Sequence, residues 1–125
     1  MSVLVDSSVW IEYFRGSGPG SELNYLIDEN LVVVNDLILA ELLPALHIRR
    51  QRKLISLLKE IARRPVDVDW DDIVQLQITC LRNGINKVGI PDLIIAQHAI
   101  RNGLELLSRD KHFPQLRQHV PLLLH

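Results

Sequence analysis

Four acids far apart in the sequence, Asp6, Glu41, Asp92 and Asp110, each follow or interrupt an apolar run. If they meet, they repel: two unit charges ~4 Å apart interact by about 4 kcal/mol even at an effective dielectric of 20. A fold holds such a cluster only around something positive. Oxygen-only donors select Mg²⁺, with Mn²⁺ as the alternative, over zinc. The histidines, His47, His98, His112, His119 and His125, show no paired zinc spacing. A carboxylate-held divalent ion suits phosphodiester hydrolysis, because it acidifies water and offsets charge on the phosphoryl group and leaving oxygen. Ser8 and Ser108 are placed to orient water or a ligating carboxylate. Each residue also has a plainer role. Asp6, Ser7 or Ser8 can cap the next helix, Glu41 can turn outward or pair with a base, and Asp92 favours the positive end of a helix.

The elements decide between these readings. Val3-Leu4-Val5 is a continuous apolar run, as in a parallel strand covered on both faces, and Asp6 ends it. A helix follows over Val9 to Arg15, then a glycine-rich loop, Gly16 to Gly20, that can touch substrate or simply connect. Ser21 can cap a helix running to about Asn30, and Leu31 to Val34 is the second strand. Asn35 or Asp36 caps the next helix, whose stripe of Leu37, Ile38, Glu41 and Ala45 contains an acid where apolar residues are expected. Pro44 should kink or end it.

The spacing then predicts one long helix over His47 to Arg64, with Arg49, Arg50, Arg52, Lys53, Lys59, Arg63 and Arg64 on its other faces. That basic cluster can hold phosphates or be a solvated face. Pro65 to Val68 reads as a short third strand or an extended segment, and Asp69 caps a helix from Trp70 to Asn83. Asp67, Asp71 and Asp72 suit the same helix start. Pro91 opens a helix carrying Asp92, Ile95, Ala96 and Ala99 on one side, closed by Asn102-Gly103. Leu104 to Leu107 is the fourth strand, a short helix holds Phe113 and Leu116, and Val120 to Leu124 is an edge strand where Pro121 is tolerated. Alternating strands and helices predict an α/β fold with a mainly parallel sheet. Ligands of such sheets gather at the carboxyl ends of the strands, which all four acids can reach.

A chain of 125 residues can bury one core, and no linker or repeat divides it, so a single domain over 1–125 is expected. No apolar run approaches the ~20 residues of a membrane helix, and no secretory signal is visible. Cytoplasm is the simplest setting for a chain whose one cysteine, Cys80, reads as a small core residue. With 14 basic and 15 acidic side chains and net charge −1, the protein is not a general polyanion binder. Contact with nucleic acid must come from local patches.

Four blocks together, Val3 to Ile11, Glu41-Leu42-Leu43, Pro91 to Ala96 and Leu107 to Phe113, resemble the PIN domain, and most of all the VapC toxin ribonucleases of toxin–antitoxin pairs. The resemblance runs essentially end to end. It implies a three-layer α/β/α domain, and an acidic metal site of Asp6, Glu41, Asp92 and Asp110 supported by Ser8 and Ser108. It implies a Mg²⁺- or Mn²⁺-dependent endoribonuclease that cuts cellular RNA, forms homodimers, and is inhibited by a VapB-type antitoxin. Such an antitoxin wraps the toxin and commonly places a basic side chain near the acids. Ser8 stands where many relatives carry asparagine, and Gln97 where many carry a small residue. The alternative is a catalytically silent PIN-like module that binds RNA or protein. A phosphoryl-accepting Asp6 is disfavoured, because no Asp-x-Asp follows the first strand.

Overall fold

Short apolar runs form the central strands of the sheet. The computed structural model describes residues 1–16 and 20–125, and the side chains of all these except Gly20 and Ser21. The glycine-rich loop over 17–19 and the Ser21 cap therefore lie outside the described residues. The elements are β1 (Val3–Val5), α1 (Ser7–Phe14), α2 (Gly20–Asp28), β2 (Val32–Val34), α3 (Asp36–Ile48) and α4 (Arg52–Glu60). They continue with β3 (Ala62–Arg63), α5 (Trp70–Arg82), α6 (Ile90–Arg101), β4 (Glu105–Leu107), α7 (His112–Arg117) and β5 (Leu123–Leu124).

The sheet order is β3-β2-β1-β4-β5, and every pairing is parallel. With helices flanking this sheet, the chain forms the three-layer α/β/α arrangement, fully rather than mainly parallel. All residues of β1 and β2 are buried, as strands covered on both faces require. Trp10, Ile38, Leu93, Ile95 and Phe113 fill the space between sheet and helices. After β1 the chain adds β2 and β3 on one side, then returns to add β4 and β5 on the other. The order thus reverses between β1 and β4, which is where open α/β sheets form a crevice.

Several expectations fail for identifiable reasons. Pro44 lies inside α3, which continues to Ile48. The bond it cannot make would run to the Ala40 carbonyl, and both residues are on the exposed face, where water can replace it. The long helix over His47 to Arg64 is in fact two elements and a strand. Arg50 takes the left-handed conformation (φ 54°), and Gln51 N–H donates to the Leu46 carbonyl while Arg50 N–H donates to that of His47. Those two bonds close a Schellman cap. The third strand is Ala62–Arg63, before Pro65, anchored by Arg64 N–H on the Val34 carbonyl at 2.8 Å. Residues 64–69 have no regular structure. The basic cluster is thereby split between the end of α3, α4 and the β3 edge rather than gathered on one helix.

Candidate active site

The turn after β1 and the loop after β4 are fastened together at the switch point. Asp6 N–H donates to the Leu107 carbonyl at 2.9 Å, continuing the β1–β4 ladder. The Ser108 hydroxyl donates to Asp6 Oδ2 at 2.8 Å, and the Ser8 hydroxyl donates to the same oxygen at 3.0 Å. Each hydroxyl also accepts a main-chain N–H from the β4 loop, Ser8 from Arg109 at 3.1 Å and Ser108 from Asp110 at 3.0 Å. Two donors hold Oδ2, and so fix the orientation of the carboxylate. Asp6 is buried, and its side chain makes no helix-capping bond. Both serines likewise serve the carboxylate instead of the helix start. Asp6 therefore does not cap α1, and both serines hydrogen-bond its carboxylate.

The other acids arrive from separate elements. Asp110 follows β4, and its Oδ1 accepts from His112 N–H at 2.9 Å. Asp92 lies in the first turn of α6, after Pro91, and is half-buried. Burial, then the charges of Asp110 and Asp6, hold its carboxyl above the ordinary range, with His112 and a Gly89 hydrogen bond opposing. Glu41 behaves similarly: desolvation, then Asp6 and Asp92, raise it, and a Ser7 hydrogen bond opposes. Asp6, Glu41, Asp92 and Asp110 therefore share one electrostatic site. Glu41 itself is more exposed than its stripe suggested. The buried side of α3 is Ile38, Leu39, Leu42 and Leu46, and Glu41 and Ala45 face outward beside it.

One member of the site went unread in the sequence. Donor atoms of Asp92, Asp110 and His112 lie within 4.8 Å of one another, and His112 Nδ1 is 2.9 Å from Asp110 Oδ1. No zinc-like pair includes His112, because its neighbours are carboxylates, Asp110 two residues before it and Asp92 from α6. The Asp110-Lys111-His112 order after a strand was the available signal. This donor set, rich in hard oxygens with a single imidazole and with the Asp92 carboxyl raised beside Asp110, fits a divalent cation.

Buried polar groups away from the acids hold the helices that carry them. Asn35 caps α3 through its Oδ1, which accepts from Ile38 N–H at 2.8 Å. Its Nδ2 lies 2.8 Å from His98 Nδ1 on α6. An amide nitrogen can only donate, so Nδ1 accepts and the ring is neutral. Burial, then Arg64, keeps the His98 pKa below its ordinary value. This pair ties the Glu41 helix to the Asp92 helix. Gln97 is also buried and fully used. Its Oε1 accepts from Asp69 N–H at 3.0 Å, and its Nε2 donates to the Asp69 carbonyl at 3.0 Å and Asp72 Oδ2 at 2.7 Å. Asp69 caps α5 as expected, accepting from Asp72 N–H at 3.1 Å.

Relatives share this architecture. Residues 3–118 match the PIN domain family. A VapC ribonuclease of Mycobacterium bovis is 30% identical over 118 residues, spanning 89% of this chain and 88% of the relative. Ribonuclease VapC11 of Mycobacterium tuberculosis matches to the same extent, at 30% identity over 89% of this chain and 88% of its own length. Among solved structures, VapBC2 from Rickettsia felis bound to a promoter DNA fragment superposes with a TM-score of 0.78 at 17% identity, covering 100% of this chain and 98% of that one. FitAcB from Neisseria gonorrhoeae gives 0.66 at 19% identity, covering 98% and 96%. An acid-edged, fully parallel sheet and a match over nearly the whole length agree: this chain belongs to the PIN-domain family and groups there with the VapC ribonucleases.

Proposed function

We propose that the protein is a VapC-type toxin, a Mg²⁺- or Mn²⁺-dependent endoribonuclease held silent by a cognate antitoxin. The observation that carries this is the meeting of Asp6, Glu41, Asp92 and Asp110 from four elements at the sheet's switch point, where burial and the neighbouring acids raise the Glu41 and Asp92 carboxyls. Asp6, Asp92, Asp110 and Glu41, with His112 beside them, would hold the ion. When bound, it supplies the Lewis acidity that phosphodiester hydrolysis needs.

The chain's own residues prepare that step. Ser8 and Ser108 fix Asp6 Oδ2, so the carboxylate does not reorient when charge enters the site. The bond from His112 N–H fixes Asp110 in the same manner. A silent module that bound RNA would have no use for carboxylates that repel the phosphate backbone.

A groove of about 260 Å³ beside Glu41 supports the antitoxin as partner: Ile11, Phe14, Leu42 and Leu54 make it apolar, and Arg15 and Arg49 border it. An amphipathic segment lying there would bring a basic side chain to the acids. Purified protein incubated with cellular RNA should produce internal cuts only with added Mg²⁺ or Mn²⁺. Adding the antitoxin should stop them. Cleavage that persists in excess chelator would refute this reading.

A further inference from the structure

Substrate carrying a phosphate backbone must approach four carboxylates on a protein of net charge −1, so local positive charge has to offset them. A cleft of about 530 Å³ opens between the α5–α6 connection and the start of α7, lined by Gly84, Asn86, Lys87, Lys111, His112 and Gln115. It presents two ammonium groups and two side-chain amides, and no carboxylate. Among the described residues neither lysine is in an ion pair. Three of the other cations are engaged. Arg109 pairs with Glu12 and Glu22, Arg101 with Asp69, and Arg63 with Asp36. Arg52 and Lys53 share their shallow surface with Glu60. His112 joins the lysine cleft to the acids, since it lines the cleft while its Nδ1 lies 2.9 Å from Asp110 Oδ1.

We propose that this cleft holds a backbone phosphate of single-stranded RNA adjoining the scissile linkage, with Lys87 and Lys111 as its cationic ligands. The inference rests on the ribonuclease reading and adds to it the path of the strand. Lysine supplies a compact charge with three rotatable donors, suited to a phosphate whose position varies slightly with sequence. Asn86 and Gln115 can donate to a second phosphate oxygen or to sugar hydroxyls. Such contacts exist equally in ground and transition states, so they set affinity rather than the rate of the chemical step.

Binding of a fluorescent single-stranded RNA, read by anisotropy in chelator over a series of salt concentrations, tests this beside cleavage kinetics in Mg²⁺. The Lys87→Ala/Lys111→Ala variant should bind roughly tenfold more weakly, with a salt slope shallower by about 0.7 for each lost phosphate contact. Its KM should rise while kcat stays within about twofold. An Arg52→Ala/Lys53→Ala variant, altered on α4, should bind like the parent. An unchanged affinity and slope in the lysine variant, with a parent that still cleaves, overturns the cleft and leaves the ribonuclease reading standing. Equal losses in both double variants also overturn it, since attraction would then be general. Weakened binding in the lysine variant alone, with a parent that never cleaves, upholds the cleft as an RNA phosphate site and removes the nuclease.

Discussion

Helix α6 separates two clusters of acids that its sequence neighbours make look alike. Asp92 at its start faces Asp6, Glu41 and Asp110, and burial and like charge push its carboxyl up. Gln97 and Arg101, farther along, meet Asp69 and Asp72, and there a main-chain N–H and a guanidinium hold the Asp69 carboxyl below its ordinary value. One cluster is satisfied by the protein, and the other is left to be satisfied by something else. Acid count does not distinguish them; the donors around each oxygen do.

The widest separation should appear in catalysis. Asp92→Asn should lower RNA cleavage by two to three orders of magnitude, about 3–4 kcal/mol of transition-state stabilisation. Asp69→Asn should leave the rate of the folded protein within about twofold. Initial rates with Mg²⁺, normalised to folded fraction, check both. Comparable losses in the two variants would erase the distinction.

Stability should divide the clusters in the opposite sense. Gln97→Leu strips partners from the Asp69 main chain and the Asp72 carboxylate, and should destabilise by about 2–3 kcal/mol. Urea denaturation should show a lower midpoint at unchanged m-value. Asp92→Asn, by removing repulsion, should leave the midpoint unchanged or raise it, as expected where function is kept at the expense of stability.

The smallest effect, and the sharpest in sign, is in pH dependence. A carboxyl whose folded pKa is raised destabilises increasingly as pH climbs through its unfolded value, 3.8 for Asp92, and fully above its folded value. One whose folded pKa is depressed, as for Asp69, contributes stability above 3.8 that is lost as pH falls through its folded value. Melting curves of Asp92→Asn and Asp69→Asn should therefore approach the parent at low pH. Toward pH 7 they should diverge, the first upward and the second downward. Divergence in the same direction would mean that both clusters are structural.

How far the sequence reveals this contrast depends on which force acts locally. Val3–Val5 and Val32–Val34 are legible because burial on both faces demands continuous apolar runs. Gly84 and Gly103, at φ 68° and 61°, mark helix ends plainly. Arg50 makes the same left-handed turn at φ 54° with a side chain that gives no warning, so the break before α4 was hidden. Ala62–Arg63 is a two-residue exposed strand with no apolar signature, paired only through the register of β2. The acids of the site were legible by position. Glu41 was located correctly on α3 but on the wrong flank, because a helical stripe three and four residues apart borders two faces. The partners of Gln97 were invisible, since long-range topology alone brings them to it, and the same is true of the approach of Asp92 to Asp110 and His112.

The most direct test is single-turnover cleavage of single-stranded RNA by the parent and by Asp6→Asn across a Mg²⁺ titration. Asparagine keeps an oxygen to accept the Ser8 and Ser108 hydroxyls and removes only the charge. An acidic catalytic centre predicts a saturable Mg²⁺ dependence in the parent, none left in chelator, and at least a hundredfold loss in Asp6→Asn without a lower melting temperature. Cleavage by Asp6→Asn at the parent's rate, or by the parent in chelator, would contradict it.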